Sequence, residues 1–102
     1  MSMERKLTEY MLDEIEGAEK YIKMANHCKD QAMAMKFQEM AKEEMKHYDN
    51  LHNFLNKMID DKSKEGENME DIYKASYEGF ENMYHDWADK VAYEINSFMF
   101  KK

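Results

Sequence analysis

The chain has 102 residues, a formal net charge of −7 and 36% charged residues, which bounds it to one acidic domain at most. Its lysines are interspersed with acids and form no basic patch, which argues against a nucleic-acid binder. The single cysteine, Cys28, excludes an intrachain disulfide framework, and the absence of proline with only three glycines predicts long uninterrupted helices. Met1 to Lys6 is polar and no apolar leader core follows it. No run approaches the roughly 18 consecutive apolar residues of a membrane span. The expected setting is the cytoplasm, with neither membrane nor nucleic acid as partner. The twelve methionines read as adaptable core filler.

The first helical segment is expected over about 4–28. Leu7, Met11, Glu14, Ala18, Tyr21 and Ala25 alternate by four and three residues, the spacing of one helix face, and Ile15 and Ile22 widen it. Glu14 interrupts this apolar stripe, with Tyr10 one turn before it. Ser2 is a candidate N-cap, and Gly17 beside Ala18 allows another helix to approach closely. Asn26 to Asp30 reads as a turn, with Asp30 capping the next helix. His27 and Cys28 are adjacent and do not face one point, so His27 is read as a turn residue and Cys28 as a half-buried thiol.

The second segment, about 30–60, carries Met33, Phe37, Met40, Glu44, His47, Leu51, Phe54 and Met58 on one stripe. Glu44 and His47 break it in the middle. On a face expected to be buried, a carboxylate must be paired, neutralised or bound to a metal. His52 shares a neighbouring face with Met45, Tyr48, Leu55 and Ile59, as an edge histidine, a group behind the ligands or a further metal ligand. Asp60 to Asn68 has no large apolar residue and reads as a loop, with Asn68 and Asp71 opening a third helix.

That third helix is expected over about 69–100. Phe80, Tyr84, Trp87, Val91, Glu94 and Phe98 form its stripe, although Ile95 beside Glu94 can take the buried place. His85 and Asp89, one turn apart, suit a surface pair or a ligand pair.

Counted from the turn, Glu14 lies about 14 residues back and Glu44 about 16 on, so antiparallel packing sets them within a few ångströms in height. Two carboxylates and a neutral imidazole suit a divalent transition metal, iron or manganese in particular.

At these residues the sequence resembles the ferritin-like superfamily. The resemblance is carried by Glu14-Ile15-Glu16-Gly17-Ala18-Glu19-Lys20-Tyr21 in the first helix and Glu44-Met45-Lys46-His47 in the second. It extends over about residues 7–60. The order of Asp13-Glu14-Ile15, Glu44-x-x-His47 and Leu51-His52 looks especially like short ferritin-like proteins of bacterial and bacteriophage genomes. Ferritins, bacterioferritins and rubrerythrins use a helix-borne Glu and a Glu-x-x-His twice each to hold two irons. The resemblance implies Glu14, Glu44 and His47 as metal ligands, a di-iron centre and ferroxidase-like oxidation of Fe(II). This chain has one copy of each element. A homodimer would supply the second set, as in encapsulated ferritins, whereas Glu94, Asp89 or His85 would supply it from the third helix. The site could also have decayed, leaving only the fold.

The reading is therefore an all-α, antiparallel three-helix ferritin-like unit, completed to a larger bundle as a homodimer or higher oligomer and binding iron or manganese. The competing reading is a metal-free structural or interaction bundle, of bacteriophage origin.

Overall fold

The structure is a computed structural model that describes residues 3–64 and 70–101, with side chains described for 3–61 and 84–101. It is all-α. Helix α1 spans Met3–His27, α2 Gln31–Lys64 and α3 Glu70–Ser97. No strand occurs among the described residues, and none of their helices is long and apolar enough to cross a membrane.

The turn between α1 and α2 is tighter than expected, because α1 continues through His27. Asp30 caps α2 as anticipated: its Oδ1 accepts from the Met33 amide at 2.9 Å, and its carbonyl accepts from Ala34. Asn26 donates to the Ile22 carbonyl at 3.0 Å, satisfying part of the helix end. So short a connection forces α1 and α2 antiparallel and side by side. The second helix does not stop near residue 60 but runs on to Lys64. Lack of apolar residues in Asp60 to Lys64 removes a reason for burial, but charged residues without proline or glycine still hold a helix. Residues 65–69, and with them the Asn68 cap, lie outside the described residues, as does Ser2.

The core corrects the stripe expected for α2. The buried face comprises Ala34, Gln38, Ala41, Tyr48 and Leu55, about a quarter turn from the Met33–Met58 stripe. Met33 is 54% exposed and Phe54 59%, while Phe37 and Leu51 are half-buried beside the core. The reason is helix spacing. Ala41 shares the core with Ala18 and Ala25 of α1, Ala34 is buried as well, and small side chains let two helix backbones come close. The larger residues are displaced to the flank. On α1 the core is Met11, Ile15, Ala18, Ile22 and Ala25, so the two isoleucines are central and Glu14 lies at the edge.

The described part of α3 seats in the groove on one flank of this pair. Ala88, Val91 and Ile95 are buried, Ile95 taking the inward place that Glu94 was weighed for. Phe80 is outside the described side chains. Two long-range hydrogen bonds fix the helix. Trp87 Nε1 donates to Glu19 Oε2 at 2.9 Å, and buried Gln38 Nε2 donates to the Ile95 carbonyl at 2.8 Å. Glu19 also meets Lys23 at 3.3 Å. The Trp87 hydrogen bond and then Lys23 hold its carboxyl below the ordinary range against the opposing effect of burial.

Because the Asp30 cap fixes the start of α2, Asp30→Ala is expected to cost about 1 kcal/mol of stability, read as a lower urea midpoint with an unchanged slope.

Candidate metal centre

Glu14 leaves α1, and Glu44 and His47 leave α2 one turn apart, on the flank opposite α3. One ligand atom from each of the three lies within 4.8 Å of the other two, and no other group of three or more His, Cys, Asp or Glu among the described residues does this. His47 Nδ1 is 3.5 Å from Glu14 Oε2. Glu14 acts more strongly than any other group on the Glu44 carboxyl and favours its protonated form.

Three features describe the surroundings of this group. First, Oε2 of Glu14 is out of contact with water and accepts no hydrogen bond from the described residues. Second, no lysine or arginine among the described residues forms an ion pair with Glu14 or Glu44; the cationic partner within reach is His47, and only when protonated. Third, the Glu44 carboxyl lies against Gly17, where a Cβ would meet Glu44 Oε2 at 3.0 Å and Cδ at 3.4 Å. The missing side chain of Gly17 is the space the carboxyl uses. The sequence pointed to Gly17 for close helix approach, and the group that approaches is a carboxylate.

Electrostatics follow from the pairing. The Glu44 pKa rises from 4.5 to about 7, chiefly through the hydrogen bond with Glu14, then through burial and the Glu14 charge, with His47 opposing. His47 itself is not buried as its expected stripe position implied: its side chain is 56% exposed, because that stripe lies on the flank.

The remaining histidines and acids are elsewhere. His52 stacks on Tyr48 with ring centroids 5.9 Å apart and lines a cleft of about 350 Å³ between α2 and α3. His85 and Asp89 line the same cleft, are mostly exposed, and pair with each other at 3.5 Å. Glu94 is half-buried near Asn26 and Phe98 at the far end. None of the four joins the Glu14, Glu44 and His47 group, so the described side chains of α3 do not complete it. His27 is exposed at the turn. Sequence reasoning missed Gln38 and Glu19 as the groups that hold α3. Their signal, a polar side chain at helical spacing from alanines, is too weak to read without the partner helix.

No protein-family model, curated protein or solved structure matches the chain. Glu44 titrates near 4.5 when unfolded and near 7 when folded. The folded state thus holds this proton more tightly. The stability it contributes is complete below about pH 4.5 and is lost as pH rises to about 7. Urea midpoints in chelator should fall across that window, and Glu44→Gln should flatten the fall.

Proposed function

We propose that the protein binds divalent iron, with Mn(II) as the alternative ion, through Glu14, Glu44 and His47. The observation that carries this reading is the carboxyl pair itself: two acids held together beside an imidazole, with a buried oxygen that accepts no hydrogen bond from the described residues. A divalent cation replaces the Glu44 proton and uses that oxygen. Hard carboxylate oxygens with one imidazole suit Fe(II) and Mn(II), and the one thiol, Cys28, is at the turn and outside the group.

In this reading Glu14 and Glu44 supply oxygens and balance charge, and His47 supplies nitrogen from the open side. Gly17 keeps the Glu44 carboxyl in place. A bound cation supplies charge neutralisation to the pair. With iron as substrate, the proposed chemistry is ferroxidase-like oxidation of Fe(II) by O₂, as the resemblance to ferritin-like proteins implies, in a cytoplasmic setting. The fold in this proposal is a three-helix ferritin-like unit that works as a homodimer. The rival, a metal-free interaction bundle, is favoured by the exposed methionines and aromatics beside the site.

Metal titration separates the two. Wild-type protein without a histidine tag should bind Mn(II) more tightly as pH rises through about 7, releasing a proton as it binds. His47→Ala and Glu44→Gln should each weaken binding by at least about tenfold, whereas His85→Ala and His27→Ala should leave it unchanged. Wild-type protein that takes up no Fe(II) or Mn(II) would leave the interaction bundle standing.

Gly17 gives a second test with readouts of opposite sign. Gly17→Ala should stabilise α1 by up to about 1 kcal/mol through helix propensity. The same methyl group moves the Glu44 carboxyl by a few tenths of an ångström and should weaken Mn(II) binding. A higher melting temperature with undiminished affinity would show that the cradle has no role in binding.

A further inference from the structure

The α3 helix turns its bulk toward α1 and its small residues toward α2. Trp87 reaches Glu19 of α1, and Phe98 lies beside Ala25 and Asn26 at the end of α1. Ala88 and Ala92, one turn apart, face the space between α3 and α2. Methyl groups there leave room that larger side chains would fill. The Gln38 bond to the Ile95 carbonyl pins the two helices at one end of that room. What remains is the open cleft of about 350 Å³, within the roughly 300–1,000 Å³ of small-molecule sites.

The cleft is amphipathic, and its two characters are separated along α2. Met45, Ala88, Ala92 and Ile95 make an apolar floor. Beside it His52 stacks on buried Tyr48, with 18° between the ring planes. Nearer the start of α2, Lys42 and Lys46 line the rim four residues apart, on one face of the helix. Both lysines are exposed, and neither forms an ion pair among the described residues. The rim acids lie toward the other end. Asp89 pairs with His85 at 3.5 Å, and Asp49 follows Lys46 by a turn in the direction of His52. One end of the cleft is thus cationic on a chain of net charge −7.

We propose that this cleft binds small aromatic carboxylates, the ring on the alanine floor beside Tyr48 and His52 and the carboxylate between Lys42 and Lys46. An apolar floor by itself admits any small hydrophobe, because burial of apolar surface is non-directional. The lysines add the selection: a hydrogen bond from an ammonium group to a carboxylate is stronger than one between neutral groups. An inorganic anion gains the lysines and nothing from the floor, and an uncharged ring gains the floor and nothing from the lysines. Only a molecule with a ring at one end and a carboxylate at the other uses both. The cleft shares no residue with Glu14, Glu44 and His47, so this binding is independent of any metal.

Calorimetry and nuclear magnetic resonance test this on the full chain in chelator, with naphthoate as the probe and naphthylmethanol as its uncharged counterpart. Naphthoate should bind one to one and saturably. Its ring current should shift the side-chain resonances of His52 and His85 and leave those of His27 and His47 in place. Naphthylmethanol should bind about tenfold more weakly. Lys42→Gln and Lys46→Gln, both at exposed positions, should each weaken naphthoate about threefold and leave naphthylmethanol unchanged. Ala92→Leu, which fills the half-buried wall, should abolish binding of both probes with wild-type helical circular dichroism. Wild-type protein that shows no saturable naphthoate binding overturns the proposal. Equal affinity for the two probes overturns the carboxylate class. Shifts at His47 instead of His52 and His85, or undiminished binding in Ala92→Leu, place the ligand elsewhere and overturn it as well.

Discussion

The close approach of α1 and α2 through small side chains sets every other feature of this protein. Ala18 and Ala25 on one helix and Ala34 and Ala41 on the other are buried, and the three residues between the helices leave no freedom to choose another pairing. Helices packed through alanine stand nearer than helices packed through leucine or phenylalanine. Near the turn that seam is held by alanines, and Met33, Phe37 and Met40 lie at its edge. The seam also fixes the heights of Glu14 and Glu44, which meet because their helices cannot slide.

What meets there is costly to hold together. Two carboxyls this close cannot both ionise without opposition, and the pair keeps a proton on Glu44 up to about pH 7. Most of the acids among the described residues are exposed. These two are held by Gly17 on one side and His47 on the other, with one oxygen left dry. A salt bridge to lysine would have quenched the cluster as an ordinary surface feature, and the sequence places none of its lysines on this stripe.

The third helix decides which flank is open. Its hydrogen bonds through Trp87 to Glu19 and through Gln38 to Ile95 both attach it to the side of the pair away from the acids. Those bonds are partly or fully buried, where a lost partner costs more than on the surface. α3 thus closes one groove with Val91, Ala88 and Ile95 and leaves the other apolar. The His85–Asp89 pair and His52 travel with the closed side, which separates them from Glu14, Glu44 and His47.

The sequence by itself determined the helices, their approximate limits, the Asp30 cap and the level at which Glu14, Glu44 and His47 stand. These depend on local chemistry: propensity, a side-chain cap, a short turn and a fixed rise per residue. Only the tertiary structure decided which of two adjacent faces of α2 is buried. Periodicity weighted by side-chain size selects Met33, Phe37 and Met40, but burial follows the neighbour, and alanines facing alanines win because they permit the shorter distance. The same holds for His47, whose stripe is apolar and yet exposed, and for Glu94, displaced by Ile95. Spacing along one helix fixes which residues share a face; where that face points is settled by the helix packed against it.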